Sequence, residues 1–284
     1  MTFKRSAGGS VNSSPDTPSD VKLSVLLPVR NEGISLAIML RILQAALIVP
    51  YEVLVVYDST EDNSIKTVER MAEANPRIRG VLNVAGRGVI NAIKSGVQAA
   101  SGDYVLIFAA DEVGPVVAID DMLALLDEGC DFVSSTRYAH GGRRLGGSVV
   151  GAVLSRAANF LFHRAAGCSL SDATTGIKMF RRDCFQQMNL EARPIGWAVA
   201  FEMSMKAQGI GLTLGEVPIL SVDRLYGGES TFKVGPWCVE YLRWFVWGVK
   251  HLRGKPVGSV RVRIPMSTPT PPVPPFSLQQ FRQP

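Results

Sequence analysis

The stretch that decides the fold is LSVLLPVRNEGISLAIMLRILQAALIVPYEVLVVYDS, residues 23–59. It contains two continuous apolar runs, LSVLLP (23–28) and EVLVVY (52–57), of the kind found in strands that are buried on both faces. A helical stretch at 33–48 lies between them. This strand–helix–strand order predicts parallel strands with a helix packed against the sheet.

The same alternation continues to residue 136. Further strands are predicted at RGVLNV (79–84), DYVLIF (103–108) and DFVSST (131–136), and further helices at 63–74, 88–100 and 117–128. We expect the third helix to end at Ser101-Gly102, with the glycine in the left-handed C-cap conformation. The predicted fold class is α/β, with a mostly parallel central sheet and helices on both faces. In such sheets, ligands bind beyond the carboxyl ends of the strands.

The composition is that of a globular protein. Of the 284 residues, 46% are hydrophobic and 19% are charged, which excludes a mainly disordered chain. The 30 Lys and Arg exceed the 25 Asp and Glu by five. This excess suits an anionic substrate or an acidic membrane surface, and it is too small to indicate a nucleic-acid partner.

The sequence divides into four segments. Residues 1–21 are rich in Ser, Gly, Pro and Asp and are expected to form a disordered arm. Residues 22–235 hold the predicted α/β domain, and residues 236–264 hold a predicted amphipathic helix and a basic segment. The Pro-rich residues 265–284 are expected to form a disordered tail.

The cysteines indicate a reducing compartment, because they form no CxxC pair and have no His at zinc-ligand spacing. They are Cys130, Cys168, Cys184 and Cys238. The N-terminus has no apolar run of the signal-peptide kind, and no window reaches the roughly 18 apolar residues that a membrane span needs. We therefore expect a cytoplasmic protein that is still able to lie on the cytoplasmic face of a membrane.

The predicted C-terminal helix, WCVEYLRWFVWGVKHLRG (237–254), follows Pro236. At about 100° per residue, four polar residues fall on one narrow face: Glu240, Arg243, Lys250 and His251. Two placements stay open, in a membrane interface or packed on the core of the domain. In the first placement, the basic residues nearby would meet anionic lipid headgroups: Arg253, Lys255, Arg261 and Arg263.

Polar residues and glycines follow each predicted strand. They occupy 28–33, 57–62, 86–88, 109–112 and 135–138. The acids at these ends suit ribose hydroxyls, a base edge or a divalent cation, whereas Asp58 and Asp62 also suit the start of a helix. Gly86 and Gly88 either let backbone N–H groups approach a phosphate or simply form a turn. All of these residues are expected at one edge of the sheet.

Six blocks in this order give the chain a family resemblance: VLLPVRNEG (25–33), VVYDSTEDNS (55–64), GRGVINAIKSGVQAASGDYVLIFAAD (86–111), SSTRY (134–138), LSRAANFLF with SDATTGIKMFRRD (154–162, 171–183), and FEMSMKAQGIGLTLGEVPILSVDRLYGGES (201–230). Across about 22–250 the sequence resembles family-2 glycosyltransferases with the GT-A-type fold. Within that family it is most similar to dolichyl-phosphate mannose synthases and bacterial polyprenyl-phosphate glycosyltransferases.

The resemblance implies a role for each matching residue. Pro28, Arg30 and Glu32 would touch the nucleoside, and Asp58 would hold the base or ribose. Asp111 would hold Mg²⁺ or Mn²⁺ together with the donor diphosphate. Arginines on later segments would hold the donor and acceptor phosphates: Arg137, Arg156 and Arg224. The catalytic set would be Asp111, Arg137 and Arg224. The remaining substrate-binding positions would be Val56, Arg87, Ala110, Asp172, Lys178, Glu202, Ser230 and Lys233.

Three positions depart from the family pattern. The usual Asp-x-Asp motif after the fourth strand has Ala109 in place of its first acid. The second strand ends in Tyr57-Asp58 where the family has two acids. Thr231 stands where a lysine normally follows the late arginine, and Lys233 comes two residues later.

The function implied is that of an inverting glycosyltransferase that moves a hexose from a nucleotide sugar to a polyprenyl phosphate. The leaving diphosphate must be neutralised, whereas a phosphate acceptor is already anionic and needs little general base. Two alternatives stay open: transfer to a saccharide or other soluble acceptor, and a non-catalytic protein that binds sugar nucleotides. A dinucleotide-binding oxidoreductase is disfavoured because no GxGxxG follows the first strand.

Overall fold

The computed structural model describes residues 21–146, 149–222, 234–254 and 259–265. The expected N-terminal arm and C-terminal tail lie outside these ranges, apart from their innermost residues. Lys255 also lies outside them.

The centre of the molecule is an eight-stranded sheet in the order β10-β8-β5-β7-β4-β1-β2-β3. The strands are β1 Leu23–Val29, β2 Tyr51–Tyr57, β3 Ile78–Leu82, β4 Tyr104–Ile107, β5 Phe132–Thr136, β7 Lys178–Arg181, β8 Leu214–Pro218 and β10 Arg261–Val262. Strand β7 is antiparallel to β4 and β5, and the other pairings in this sheet are parallel. The expected mostly parallel sheet is confirmed. A second, two-stranded sheet pairs β6 Arg143–Leu145 with β9 Leu220–Val222.

Seven α-helices lie within the described residues. They are α1 Gly33–Ala46, α2 Ser64–Ala74, α3 Val89–Ala99, α4 Ile119–Asp127, α5 Val149–Arg164, α6 Ala198–Gly209 and α7 Val234–His251. Because side chains alternate along a strand, Val25 and Leu27 of β1 join the core that contains α1 and α4, while Leu26 joins the core that contains α3, α6 and α7. Helices thus cover both faces of the sheet, as expected.

The end of α3 differs from the expectation. The helix ends at Ala99, and Ala100 has an extended backbone with φ −72° and ψ 138°. Gly102 does not adopt a left-handed conformation. It is needed for a different reason, because a Cβ there would lie 2.8 Å from the backbone nitrogen of Ser24. The glycine therefore allows two chain segments to approach closely.

The C-terminal helix α7 packs on the core, which is one of the two placements that the sequence left open. Trp244 and Leu252 are buried with the residues of α6. On the predicted narrow polar face, Glu240 is fully buried and lies 3.2 Å from Arg193 and 3.5 Å from Arg243. The outer face carries exposed apolar residues: Val239, Leu242 and Val246. Within the described part of the chain, every helix is too short or too polar to cross a membrane.

Candidate active site

The parallel strands end together at one edge of the sheet. Val29 at the end of β1 pairs with Tyr57 at the end of β2, so the loops that begin at Arg30 and Asp58 leave the sheet side by side. Strand β4 lies on the other side of β1, and Asp111 follows it. Because β7 runs antiparallel to β4 and β5, the residues that precede β7 reach this same edge. The edge therefore collects residues from segments far apart in the sequence.

The first group at this edge, the Asp58 cluster, consists of Asp58, Asn83, Gly86, Gly88 and Ser95. One carboxylate oxygen of Asp58 accepts a 2.7 Å bond from Asn83 Nδ2, and the other accepts a 3.1 Å bond from Gly88 N–H. Asn83 Nδ2 also donates to the Gly86 carbonyl, and Asn83 Oδ1 accepts from Ser95 Oγ. Asp58 thus ties the end of β2 to the start of α3 and does not cap α2.

The two glycines form a turn, which was one of the two interpretations of this segment. Both have positive φ, +99° at Gly86 and +118° at Gly88. The Gly88 N–H is bonded to Asp58 and is therefore not directed at a phosphate. A Cβ at Gly88 would lie 2.5 Å from the Cβ of Pro194, so only glycine fits against that neighbour.

Asp62 has the helix-capping role that the sequence left open. Its buried carboxylate accepts a 2.8 Å bond from Ser64 N–H in the first turn of α2. It also accepts two 3.1 Å contacts from Asn31 N–H, in the loop after β1. This residue therefore fixes the loop that carries Arg30 and Glu32.

The second group, the Arg137 cluster, consists of Arg137, Ser155, Asn159, Asp172 and Thr174. Asp172 Oδ2 accepts from the backbone N–H of Arg137 at 3.1 Å and from its Nε at 2.8 Å. Asp172 Oδ1 accepts from Arg137 Nη2 at 3.0 Å and from Asn159 Nδ2 at 2.9 Å. Thr174 Oγ1 and Ser155 Oγ also contact Nη2. Residues after β5, on α5 and before β7 thereby meet at one guanidinium.

The ion pair at the centre of this cluster is almost removed from water. The Arg137 side chain is 13% exposed and that of Asp172 is fully buried. Burial alone would raise the pKa of Asp172, but the charge and hydrogen bonds of Arg137 lower it to about 2. Burial likewise opposes the charge of Arg137, and Asp172 reverses the effect and raises the Arg137 pKa, with a smaller contribution from Glu112. Both groups are charged at neutral pH.

A cavity of about 240 Å³ lies next to the Arg137 cluster. Its lining residues are Tyr138, Arg156, Asn159, Phe160, His163 and Ser171. The guanidinium carbons of Arg137 and Arg156 lie 5.1 and 5.3 Å from the centre of the Tyr138 ring. Two cations therefore share one aromatic ring, and the second of them lines the cavity.

A family model gives the first comparison with known proteins. The model for glycosyl transferase family 2 matches residues 24–188. This match covers more than half of the chain and includes both clusters up to Thr174. The chain belongs to glycosyl transferase family 2. Its fold is the GT-A-type fold, as the six sequence blocks implied.

Two curated relatives are named as undecaprenyl-phosphate sugar transferases. The chain is 33% identical over 171 residues to the undecaprenyl-phosphate 4-deoxy-4-formamido-L-arabinose transferase of Yersinia enterocolitica, covering 59% of this chain and 51% of that protein. It is 27% identical over 218 residues to the enzyme of the same name from Klebsiella pneumoniae, covering 75% and 63%. The chain thus spans between half and two thirds of the length of these relatives.

Solved structures support the fold. Glucosyl-3-phosphoglycerate synthase from Mycobacterium tuberculosis, in complex with Mn²⁺, UDP-glucose and phosphoglyceric acid, superposes with a TM-score of 0.61 at 19% identity, covering 81% of this chain and 80% of that one. Its complex with Mn²⁺, UDP and glucosyl-3-phosphoglycerate gives 0.60 at 16% identity, covering 88% and 87%. At these identities the likeness shows the fold alone.

Asp111 is the acid that the resemblance assigns to a metal, and Ala109 stands at the other acidic position of that motif. Asp111 and Glu112 lie partly exposed in the turn after β4, Ala110 is buried in the core, and Ala109 is partly exposed. Within the described residues, no three His, Cys, Asp or Glu side chains are grouped to hold a metal. One carboxylate fits an ion that takes most of its ligands from substrate phosphates and water, as Mg²⁺ commonly does. It does not fit a site built by the protein alone.

Four residues of the predicted substrate-binding set are buried below the edge. Lys178 is fully buried and donates a 3.0 Å bond to Ser134 Oγ, and burial lowers its pKa to about 8. Glu202 is fully buried and accepts bonds from two main-chain N–H groups of the segment that leads to Pro194. Val56 and Ala110 belong to the core. In this structure these four side chains are packed in the interior beneath the carboxyl edge of the sheet, and they are not exposed at that edge.

Asp172, also predicted to bind substrate, is fully buried within the Arg137 cluster. The predicted residues not yet placed divide into two groups. Pro28, Arg30, Glu32, Asp58 and Arg87 lie at the carboxyl edge with at least part of their surface open to solvent. Arg224, Ser230 and Lys233 lie outside the described residues, as does Thr231.

Sequence reasoning missed two residues that organise the site. Asn83 was assigned to the interior of a strand at 79–84, but β3 ends at Leu82 and Asn83 is at the carboxyl edge. The signal was present, since an Asn directly after an apolar run resembles the other strand ends. Asn159 bonds to Asp172 from the middle of α5. Its position on a helix gave no comparable signal.

Proposed function

We propose that this protein is an inverting glycosyltransferase that moves a hexose from a nucleotide sugar to a polyprenyl phosphate. The observation that carries the proposal is the pair of guanidinium groups, Arg137 and Arg156, on the Tyr138 ring beside a cavity. The reaction brings two anions together, the diphosphate of the donor and the phosphate of the acceptor. Two adjacent cations, one after β5 and one on α5, suit that charge distribution.

Arg137 is suited to the diphosphate because its geometry is fixed. Asp172 holds the Nε and Nη2 atoms, and the Nη1 atom has no hydrogen-bond partner among the described residues. A guanidinium held in this way loses little conformational entropy when a phosphate oxygen binds its remaining N–H groups. We assign Arg137 to the charge that develops on the leaving diphosphate, and Arg224 to the same charge from the later segment.

Arg156 is suited to the acceptor. It is exposed on α5 and lines the cavity together with Ser171 and His163. Phe160, which is 64% exposed, lies on the same wall and offers an apolar surface next to the guanidinium. A phosphate attached to an isoprenoid chain has this combination of one anionic head and an apolar body.

The nucleoside is assigned to the other end of the edge. Pro28, Arg30 and Glu32 lie in the loop that Asp62 fixes, and Asp58 lies in the adjacent loop. Arg87 lies between the two glycines of the turn that Asp58 holds. Asp111 would supply one carboxylate oxygen to a divalent ion carried by the donor, and the bound ion would neutralise charge on the diphosphate.

The bond changes need no protein nucleophile. An oxygen of the acceptor phosphate forms a bond to C1 of the sugar while the bond from C1 to the diphosphate oxygen breaks, and that electron pair leaves with the diphosphate. A single displacement of this kind inverts the configuration at C1. Because the attacking oxygen is already anionic at neutral pH, the site needs position and positive charge more than it needs a base.

A membrane surface is the expected location of the acceptor. Val153, Leu154, Phe160 and Leu161 of α5 and Val239, Leu242 and Val246 of α7 are all exposed. Exposed apolar residues on helices that also carry Arg and Lys suit the interface of a bilayer. We propose peripheral association through these helices, on the cytoplasmic face.

The test is a transfer assay with undecaprenyl phosphate in detergent and a panel of labelled nucleotide hexoses, with one nucleotide pentose included. Transfer of label into the organic phase from a hexose donor supports the proposal.

Arg156→Ala should reduce this transfer, whereas Arg164→Ala, on the last turn of the same helix and outside the cavity lining, should not. Label that reaches only a soluble acceptor would favour the alternative acceptor class. Nucleotide binding without any transfer or hydrolysis would indicate a non-catalytic protein.

A further inference from the structure

Glu216, a buried carboxylate on β8, accepts hydrogen bonds from the segment that precedes β7. Glu216 is 2% exposed and does not line the cavity. Its Oε1 atom accepts from the backbone N–H of Ser171 at 2.7 Å, from Ser171 Oγ at 3.0 Å and from the backbone N–H of Asp172 at 3.4 Å. One oxygen therefore holds two consecutive main-chain amides.

The same segment contains Asp172, which forms the ion pair with Arg137. The carboxylate of Asp172 accepts from the backbone N–H, the Nε and the Nη2 of Arg137. The hydroxyl of Ser171 lies 2.7 Å from the hydroxyl of Thr136, the residue before Arg137. Glu216 thus bonds to the main chain of Ser171 and Asp172, while the carboxylate of Asp172 bonds to Arg137.

We infer that Glu216 is a positioning residue that fixes the main chain around Asp172 and thereby sets the position of the Arg137 guanidinium. It touches neither substrate. This inference rests on the proposed function, because it assigns Glu216 to the same phosphate site through the residue that serves it. A displacement of about 1 Å at a charged catalytic group is enough to cost about 10²-fold in rate.

The charge of Glu216 varies near neutral pH. Burial raises its pKa to about 7, against the opposing effect of the Ser171 bonds. Four other titratable groups face it: Asp172, Lys178, Cys168 and His140. His140 Nε2 lies 3.9 Å from the second oxygen, Oε2. The ionised carboxylate is the stronger acceptor for the two amides, so we expect kcat to rise with pH as Glu216 ionises.

Glu52 supplies a matched control. It is also a buried carboxylate on a strand, and it accepts from the backbone N–H of Ser101 at 2.6 Å and from Ser24 Oγ at 2.7 Å. These contacts lie at the amino end of β2, far from Arg137. A variant at Glu52 therefore shows how the loss of a buried carboxylate that holds a loop affects the protein when nothing near Arg137 is changed.

The experiment compares Glu216→Leu and Glu216→Gln with Glu52→Leu and Glu52→Gln in the full chain. We expect Glu216→Leu to lower kcat by about 10- to 100-fold with donor KM nearly unchanged, since position and not binding is lost. Glu216→Gln keeps a neutral acceptor oxygen, as the protonated acid does, so its kcat should equal that of the wild type at low pH and lack the rise at neutral pH. The Glu52 variants should leave both kcat and its pH profile unchanged.

A second readout is independent of activity. The Nε–H group of Arg137, identified in the ¹⁵N spectrum by comparison with Arg137→Lys, should exchange slowly in the wild type and in both Glu52 variants, and rapidly in Glu216→Leu. An unchanged signal in folded Glu216→Leu, or the same loss of kcat in Glu52→Leu, would overturn the inference. If the wild type transfers no sugar, the proposed function fails, and the exchange rate still decides whether Glu216 positions Arg137.

Discussion

The Asp58 cluster is built by the parallel half of the sheet, whereas the Arg137 cluster is built around the antiparallel strand β7. In the first, each contributing residue follows a parallel strand or lies at the start of, or within, the helix that comes next. In the second, Asp172 and Thr174 precede their strand and meet Arg137, which follows β5. An antiparallel strand delivers its preceding residues to the edge where its neighbours end. The same edge is therefore reached from two chain directions.

The two clusters also differ in how their charges are balanced. The Asp58 carboxylate accepts from an amide side chain and a backbone N–H, and it remains partly exposed. The Asp172 carboxylate is fully buried and balances a guanidinium that is 13% exposed. Removing one partner of a buried ion pair leaves an uncompensated charge, whereas removal of Asp58 leaves neutral donors, of which Asn83 Nδ2 keeps its bond to the Gly86 carbonyl. Substitutions in the two clusters should separate these cases.

The largest effect is expected for Asp172→Ala. This change leaves Arg137 without its partner, and we expect the free energy of unfolding to fall by about 3–5 kcal/mol. Transfer should fall by about 10³-fold, since both the position and the environment of the guanidinium change. Urea unfolding and initial rates measure the two effects.

Asp127→Ala is the control for this prediction. Asp127 pairs with Lys22 at 2.7 Å with side chains 46% and 34% exposed. Loss of such a surface pair should cost about 1 kcal/mol or less. If Asp172→Ala destabilises the protein no more than this control, the buried pair is not the organising contact of the cluster.

The next effect is expected for Arg137 itself. Arg137→Ala should lower turnover by at least about 10²-fold, as is typical when a transition-state charge contact is lost. Arg137→Lys should recover only part of this rate, because a single ammonium does not replace a guanidinium that binds Asp172 through two nitrogens. Arg181→Ala, at an exposed pair on β7, is the matched control. Full activity of Arg137→Lys would show that charge alone is required.

The first half of the fold could be predicted from the sequence because its strands are continuous apolar runs and its helices are amphipathic. All five predicted strands and four predicted helices up to residue 136 are present with small shifts at their ends. Between this point and the helix predicted at 237–254, the pattern gives no comparable signal. Strands β6, β7 and β9 have three or four residues each, and α6 is buried from Ala198 to Ala207. A helix that is buried all round shows no polar face.

The candidate site shows the same difference between residues that follow the parallel strands, which the pattern predicts, and residues on later segments, which it does not. Asp58 and Asp111 were predicted both as residues that follow apolar runs and from the family resemblance. Asp172 was placed in the site by resemblance alone, because a rule about residues that follow strands does not find a residue that precedes one. Lys178 matched a family block, yet its ammonium is buried against Ser134. A sequence block specifies a neighbourhood, and only the packing determines whether a side chain lines the site or supports it.

A smaller effect is expected for Asp58→Ala. Its two donors, Asn83 and the Gly88 N–H, are neutral, so the free energy of unfolding should fall by only about 1 kcal/mol. We expect donor KM to rise by about 10-fold with kcat little changed, as for a contact made equally in the ground and transition states. A fall in kcat as large as that of Arg137→Ala would remove the distinction between the two clusters.

The smallest effect is expected for Ala109→Asp, which tests how the Arg137 cluster compensates for the altered acidic motif. Ala109 and Asp111 are partly exposed on either side of the buried Ala110, so a carboxylate at 109 would be open to solvent close to Asp111 in the chain. It should add a second hard-oxygen ligand and lower the Mn²⁺ concentration at half-maximal rate by about 3-fold. Direct Mn²⁺ titration in the presence of the nucleotide diphosphate should show the same change. If the Arg137 cluster carries part of the diphosphate charge, as proposed, some transfer should survive in chelator, and the substitution should change the metal requirement more than the maximal rate. An unchanged half-saturation would mean that position 109 does not face the metal, and the charge on the leaving group would then be assigned to the arginines alone.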